Sequence, residues 1–548
     1  MTAKRHIGLL LAVCLAMASP TLAGSQPATT TRPFMQPVMP ARSGTDAWFG
    51  LRLPGPVTDP VRGPIDAKPV LPSRPAQFGP GPLDPLLSGA AILADVQRIV
   101  GFSHASRAAG EYLWGRVTGR PAFDNTLSWV ESSLRTAGLR DAHHEYFNVH
   151  DLHLPVAGEV RLLASKAVGG GSADIVLQSA MIGGDGPVND TLTAPLMYVG
   201  QGSDADLAGR DLKGKIAVLV STPLPSLYAA LPARRIGAAL AQGAAGVIEI
   251  QVQPGNLQNF DRDRHGCGKG LCFTLGGEDG YFLQNVLGEA AREGTSVFAK
   301  LSARSETLNP VLANVVATVP GKSTRTIIVI AHADGWFGGG DDNASGLAVM
   351  LALARHFAKG PRPEHTLVFV ASAGHHSATV NGPRAFREAH AHDYIANADL
   401  VINLEHPAQS DVMRSYLYRE AINFTSPSLT TSGDLAKQVA VSNEAPLLID
   451  LWRQGVSCFG LDVQRTVDRA LPGDLNALAD LEALPRTQMI ASGGLYHTSG
   501  DDLWSVPEPA LERAARFHAY LISAADRASS DQLRGAASPS QVGCPPTP

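Results

Sequence analysis

The second half of the chain alternates apolar runs with helix-length segments, and this alternation restricts the fold more than any other feature of the sequence. From residue 311 onward the runs ANVVATVPG, TRTIIVIAHAD, HTLVFVASAG and ADLVINLEH each predict a buried strand. The segments SGLAVMLALARHFA and PALERAARFHAYLIS have helical spacing. Strands that are apolar along their whole length need cover on both faces. We therefore predict an α/β domain with a mostly parallel or mixed sheet covered by helices on both faces.

Polar side chains follow these predicted strands at the points where they end. They are His332 and Asp334, Asp341 to Asn343 in the next loop, His375 and His376, Glu405 and His406, and, in a later loop, Tyr496 and His497. Ligands of open α/β sheets bind at the carboxyl ends of the strands, so we expect these residues to lie together. Any one of them could be an ordinary buried or rim residue, but unpaired polar groups from five buried segments would be costly. Imidazole and carboxylate without thiolate favour zinc, with manganese or cobalt as alternatives.

The segment HADGWFGGGDDNASG, which begins at His332, resembles the HxD and DNASG signature of metallopeptidase family 28, the co-catalytic zinc aminopeptidases and their carboxypeptidase relatives. The later YHT resembles the last motif of that family, and the similarity extends from about residue 95 to 525. The resemblance implies that His332 and Glu405 bind one metal ion. It further implies that Asp342 bridges two ions and that His497 binds the second.

The resemblance also assigns roles to side chains beside the metal ligands. Asp334 would orient His332, and Tyr496 would polarise the scissile carbonyl. The sequence departs from the family pattern at GHH, which replaces AEE, so that His375 falls on the general base and His376 on a ligand of the second ion. Both roles are feasible for neutral imidazole, because nearby cations would keep an acceptor nitrogen free. The alternative is that the base is lost and the protein binds without turnover.

A second departure lies at Glu405, which stands where the family has aspartate. This change keeps the carboxylate and lengthens the side chain by one methylene group.

Residues 190 to 300 predict a separate module. Strands and a small-residue helix are indicated by APLMYVG, DLKGKIAVLV and RIGAALAQGAAGVIEI. The sequence pattern of these segments resembles that of the protease-associated domain over about 60 residues. We therefore assign 161–300 to a β-rich protease-associated insert. The zinc peptidase-like catalytic domain would comprise 89–160 and 301–526, followed by a tail at 527–548.

The N terminus predicts export. Lys4 and Arg5 precede the short apolar run IGLLLAVCLAMA, and a small-residue site ends at Ala23, which together are typical of a signal peptide over 1–23. Residues 24–88 form a proline-rich leader. The mature chain would be secreted or periplasmic, and disulfides are then permitted between Cys267 and Cys272 and between Cys458 and Cys544.

The predicted function is a secreted zinc-dependent hydrolase of peptide or amide bonds, exopeptidase-like, with two zinc ions or one. Two alternatives remain open: a catalytically impaired metal-containing binding protein, and a hydrolase of N-acyl or ester substrates. Net charge of −5 without a basic stripe gives no indication of nucleic acid, and no run in the sequence is long enough for a transmembrane segment. The expected partner is a peptide or acyl-amide substrate.

Overall fold

The computed structural model describes residues 84–535 and two short strands nearer the N terminus. Within 84–535 the residues not described are 185, 222–229, 254, 262–266, 268–269, 416–427, 435–436, 462, 469–472 and 491–492. The predicted signal peptide, nearly all of the leader, and Cys544 lie outside the described residues. Strands β1 (Ala47–Trp48) and β2 (Leu51–Arg52) pair antiparallel within an N-terminal unit, Met1–Arg52.

The first elements of the main unit precede the predicted insert, and the last of them forms one edge of an eight-stranded sheet that the end of the chain completes. They are α1 (Gly89–Ala108), β3 (Gly115–Arg116), α2 (Pro121–Ala137) and β4 (His143–Asn148). Helix α1 begins at Ser88, whose side chain accepts a hydrogen bond from the Ala91 amide. Helix α2 ends at Gly138, where the φ of 110° suits glycine.

The next elements build an eight-stranded sheet of their own. They are β5 (Leu152–Leu162), β6 (Ile175–Leu177), β7 (Met181–Ile182), β8 (Asn189–Tyr198), α3 (Asp204–Leu207), β9 (Ile216–Ser221), α4 (Ala230–Ala241), β10 (Gly246–Gln251), β11 (Leu271–Leu275), α5 (Gly277–Arg292) and β12 (Phe298–Leu308). The strand order is β6-β5-β12-β8-β9-β10-β11-β7, with parallel pairing from β8 to β11. This sheet begins and ends a few residues outside the range 161–300 predicted for the insert. The predicted disulfide between Cys267 and Cys272 is confirmed and lies at the start of β11.

The remaining elements include the other seven strands of that sheet and three strands that pair outside it. They are β13 (Val311–Val319), β14 (Thr326–His332), β15 (Gly335–Trp336), α6 (Gly346–Lys359), β16 (Thr366–Ser372), α7 (Gly382–Ala389), β17 (Ala398–Leu404), β18 (Ser410–Ser415), β19 (Ser428–Asp434), β20 (Lys437–Val441), α8 (Pro446–Phe459), β21 (Val463–Asp468), β22 (Arg486–Ile490), α9 (Glu508–Asp526) and α10 (Ser530–Leu533). The order β21-β20-β22-β17-β14-β16-β13-β4 places β14 beside β16 and β17, both parallel to it. The antiparallel strand β13 follows on the other side of β16. The predicted mixed α/β fold is confirmed.

The core lies on both faces of this sheet. On one face α1, α2, α6, α8 and α9 bury the larger cluster, which includes Ile327, Val329 and Phe369. Ile328 and Val368 point to the opposite face, where they pack with Phe386 of α7. Because successive strand residues point to opposite faces, apolar residues at every position bury both. Among the helices in the described part of the chain, none has the length and apolar character needed to cross a bilayer.

Candidate metal centre

The predicted site residues come together at the carboxyl ends of β14, β16 and β17. His332 is the last residue of β14, whereas His375 and His376 follow β16 and Glu405 and His406 follow β17. Two further segments reach the same edge. They are the loop 340–345 before α6, which holds Asp342, and the loop before α9, which holds Tyr496 and His497.

Asp342 lies at the centre of four imidazoles. Its Oδ1 atom is 3.4 Å from Nε2 of His332 and 3.0 Å from Nε2 of His406. Its Oδ2 atom is 3.0 Å from Nε2 of His376 and 3.3 Å from Nε2 of His497. All five side chains are buried. Each carboxylate oxygen therefore faces its own pair of histidines, which suits a carboxylate that bridges two cations.

The electrostatics of Asp342 favour its charged form. Burial opposes ionisation, but the imidazoles of His376 and His406 outweigh it and hold the pKa of Asp342 well below its usual range. Asp501 holds the loop in place, since its carboxylate accepts hydrogen bonds from the amides of Asp341 at 2.8 Å and Asp342 at 3.0 Å. The site thus presents an ionised carboxylate, the form that a metal requires.

His375 does not face Asp342 in this way. Its ring stacks on that of His332 with centroids 4.0 Å apart, and its Nδ1 atom donates to Oδ1 of Asp474 at 2.9 Å. Its Nε2 atom lies 3.4 Å from Oε1 of Glu405. Although burial disfavours the charged imidazole, Glu405 and Asp474 raise the pKa of His375 to about 10. His375 therefore lies between two carboxylates.

Glu405 lies with His332 and His375 in a group whose potential ligand atoms are all within 4.8 Å of one another, so the predicted pairing of His332 and Glu405 at one ion stays a prediction. The side-chain amide of Asn403 donates to Oε2 of Glu405 at 2.7 Å, and a Cβ atom at Gly473 would clash with the carboxylate. The neighbouring His406 turns toward Asp342 instead, with a positive φ of 51°.

Asp334 contacts both the turn that carries His375 and His376 and the ring of His332. Its carboxylate accepts hydrogen bonds from the amides of His375 at 3.3 Å and His376 at 3.0 Å, and from Nδ1 of His376 at 3.2 Å. It also lies 3.6 Å from Nδ1 of His332. One carboxylate thus orients two of the imidazoles that face Asp342.

Tyr496 packs against the same cluster. Its ring stacks on His497 with centroids 3.5 Å apart and lies 5.4 Å from the ring of His406. Trp336 contacts His497 and His376, with centroid distances of 4.6 Å to each. Aromatic contacts of this kind restrict the imidazole rotamers.

Comparison with known proteins assigns this part of the chain. The family model described as Peptidase family M28 matches residues 314–522, a range that contains Asp342 and all four of its histidines. Residues 314–522 belong to peptidase family M28. This match supports a metallohydrolase.

Solved structures share the fold of this chain. The aminopeptidase from Aneurinibacillus sp. strain AM-1 is 19% identical, with a TM-score of 0.50, and the match covers 80% of this chain and 94% of that one. The peptidase M28 precursor from Shewanella amazonensis SB2B is 16% identical, with a TM-score of 0.57 and coverage of 84% and 98%. BSAP, a zinc aminopeptidase from Bacillus subtilis, is 18% identical, with a TM-score of 0.54 and the same coverage. No curated protein matches the sequence.

The structure places at the site three residues to which the sequence analysis assigns no function. His406 lies at the end of a predicted strand but has no predicted role. Asp474 lies in a region that carries no motif. Arg116 lies far upstream, in β3. The signal for His406 was its position beside Glu405 at the end of an apolar strand.

Arg116 holds the loop between β14 and Asp342. Its guanidinium is buried and donates to the carbonyl oxygens of Ala333 at 3.1 Å, Gly338 at 2.9 Å and Gly339 at 3.0 Å, and to the Ser103 hydroxyl at 2.8 Å. Burial lowers the pKa of Arg116 to about 10, so the side chain stays charged at neutral pH. It supplies donors to the carbonyls of Ala333 and Gly338, whereas the Gly339 carbonyl also accepts a hydrogen bond from the Ala344 amide at 3.1 Å.

Arg116→Met is expected to destabilise the protein by about 3 kcal/mol or more, because each buried carbonyl left without a donor costs about 1–3 kcal/mol. Urea unfolding in the presence of a chelator measures the effect without a contribution from metal binding. The matched control is Arg304→Met on β12, whose side chain is exposed and which should change stability by no more than about 0.5 kcal/mol. Equal stabilities of the two variants would contradict the role of Arg116.

A shallow apolar recess adjoins the histidine cluster, and its roughly 300 Å³ of empty space includes open solvent. Its lining residues are Leu113, Val117, Thr118, Leu152, His153, Leu154, Pro155, Phe260, Trp336, His376 and Ser377. Among these described residues there is no carboxylate, lysine or arginine.

Proposed function

We propose that the protein hydrolyses peptide or amide bonds with two zinc ions held by Asp342 and four histidines. The observation that carries the proposal is that each carboxylate oxygen of Asp342 faces its own pair of imidazole nitrogens. Imidazole and carboxylate are common zinc ligands. Oδ1 of Asp342 and Nε2 of His332 and His497 are buried and make no hydrogen bond of good geometry within the protein, which fits a cation as the missing partner.

The proposed ligands are grouped by the oxygen that they face. His332 and His406 would share one ion with Oδ1 of Asp342, and His376 and His497 would share the other with Oδ2. When bound, zinc would supply Lewis acidity toward the substrate carbonyl and lower the pKa of water. Glu405 would then lie beside the first ion, and we assign it a role in acid–base chemistry.

The acid–base group of the proposed reaction is the pair formed by His375 and Glu405. Asp474 accepts the Nδ1 hydrogen of His375 and sets the ring orientation, so that Nε2 points to Oε1 of Glu405. Since Glu405 and Asp474 raise the pKa of His375 to about 10 and so keep it protonated at neutral pH, the Glu405 carboxylate is the member of the pair that would take the proton from the attacking water and return it to the leaving amine. The histidine at the position of the general base thus works with a carboxylate that follows β17, on the far side of β14.

The proposed substrate carries an apolar side chain or acyl group. The recess reaches His376, so a group seated there would bring an attached carbonyl to the histidine cluster. Hydrolysis of N-acyl or ester substrates is a second candidate, favoured because the carboxylates of the cluster already have imidazole partners. A free α-amine would need a carboxylate without such a partner, because an ammonium group and a carboxylate form a charge-assisted hydrogen bond.

Two further elements belong to the proposal. The signal-peptide pattern supports action in the periplasm or outside the cell. The resemblance of the insert to a protease-associated domain supports a role for it beside the substrate.

Metal analysis combined with a substrate panel tests the proposed function. The purified protein should contain two zinc ions, and a chelator should abolish hydrolysis of aminoacyl amides until zinc is restored. Within a panel of equal leaving groups, leucyl and phenylalanyl substrates should be cleaved at least about tenfold faster than aspartyl or lysyl ones, because seating a charge in an apolar recess costs more than about 1.4 kcal/mol. A protein that holds zinc but cleaves neither amides nor esters would instead be the binding protein considered above.

A further inference from the structure

The sheet inserted before the M28 domain reaches the loop that carries His497. The amide of Phe260 donates to the carbonyl oxygen of His497 at 3.1 Å, and the amide of Ser499 donates to the carbonyl oxygen of Gln258 at 2.9 Å. The amide of Gln258 in turn donates to the Ser499 hydroxyl at 3.0 Å. These bonds form a short antiparallel pairing between residues 258–260 and 497–499, which includes the bridge from Asn259 to Thr498.

The pairing supports an unfavourable backbone conformation at His497. This residue has a φ of 57°, a left-handed value that a side chain other than glycine adopts rarely. Such a conformation persists where the surrounding structure holds it. The hydrogen bond from Phe260 to the His497 carbonyl supplies that hold from the insert side.

Asp261 continues the same insert segment and meets the His497 ring. Its Oδ2 atom lies 3.5 Å from Nδ1 of His497, while Nε2 on the opposite side of the ring lies 3.3 Å from Oδ2 of Asp342. Both side chains of the Asp261–His497 pair are about nine-tenths buried. One nitrogen of the ring therefore faces the proposed metal centre and the other faces a carboxylate of the insert.

A carboxylate behind a metal-binding histidine has a known physical effect. It fixes the tautomer with hydrogen on the rear nitrogen, holds the ring in place and raises the basicity of the ligating nitrogen. Loss of such a partner weakens metal binding by about 10- to 100-fold. Asp334 is placed to do the same for His376 from within the M28 domain.

We propose that Asp261 is a positioning residue for His497, and that the insert thereby completes the half of the metal centre formed by Asp342, His376 and His497. The inference rests on the proposed function, since it assumes that these side chains bind zinc. The insert is then a structural part of the metal site. Its segment 258–261 holds His497 by backbone hydrogen bonds and places a carboxylate 3.5 Å behind the ring.

Zinc affinity at each site, measured by competition with a chromophoric chelator, tests the proposal. Asp261→Asn should weaken one of the two sites about 10- to 100-fold and leave the other unchanged. Asp261→Glu should restore part of the loss, because it returns the charge. The matched control is Asp190→Asn, an exposed carboxylate on β8 of the same insert, which should leave both affinities unchanged.

A double-mutant comparison separates ring positioning from a general effect on folding. In a His497→Ala background, Asp261→Asn should have no further effect on zinc affinity, since its target is gone. The melting temperature of the metal-free protein should be the same with aspartate or asparagine at 261. Wild-type affinities in Asp261→Asn, equal losses at both sites, or additive effects with His497→Ala would each overturn the proposal. A wild-type protein that binds no zinc would overturn the proposed function itself.

Discussion

Replacing Asp342 with alanine is expected to remove both zinc ions and to lower hydrolysis by at least about a thousandfold. The side chain is the only described one that faces all four histidines of the cluster. Metal ions contribute several kcal/mol to such reactions, and each 1.36 kcal/mol corresponds to a factor of ten in rate. Without the carboxylate, four imidazoles would have to share two dications with no anion between them.

Metal content by mass spectrometry and kcat/KM on the best substrate of the panel measure both effects. Asp342→Asn is the isosteric companion, since it keeps the shape of the side chain and removes its charge. The control is Asp95→Asn, a carboxylate in α1 that pairs with Arg355 outside the cluster, which should retain both ions. If Asp342→Ala kept two zinc ions and wild-type activity, the proposed metal centre would be wrong.

The second large effect concerns the charge of the substrate. We expect the wild-type protein to cleave an N-acylated aminoacyl amide at least as well as the same compound with a free α-amine. The carboxylates of the cluster that already contact imidazoles are Asp334, Asp342, Glu405 and Asp474. An incoming ammonium group therefore finds histidines at positions 375 and 376, where the family pattern has glutamates.

The double variant His375→Glu/His376→Glu should shift this preference toward the free amine by at least about tenfold. A carboxylate and an ammonium group 4 Å apart attract by about 4 kcal/mol at an intermediate dielectric constant, and a third of that energy gives a factor of ten. Calorimetry with a non-cleavable amine and its N-acyl counterpart measures the shift even if the variant is inactive.

The control for added negative charge is His143→Glu/His392→Glu, which changes two exposed histidines. This variant should leave the preference unchanged, because solvent screens exposed charges. A strong free-amine preference in the wild type that persists in the double variant at positions 375 and 376 would exclude the electrostatic explanation.

The sequence alone determined the architecture and the edge at which the site lies. Strands such as Thr326–His332 and Ala398–Leu404 are apolar at nearly every position, a pattern that only a sheet covered on both faces can bury. Since parallel strands end at a common edge, the polar residues after them had to meet. The DNASG and YHT motifs then named Asp342 and His497 without knowledge of the structure.

Only the tertiary structure decided which neighbouring side chains face one another. Glu405 and His406 are adjacent in sequence, and the backbone turn at His406, with its positive φ, directs the histidine toward Asp342 and leaves the glutamate beside His375. Arg116 and Asp261 also reach the site, although they lie 226 and 81 residues before Asp342 in the sequence. Periodicity reports on contacts along one element, whereas such long-range contacts depend on how separate elements pack, and no local pattern in the sequence encodes that.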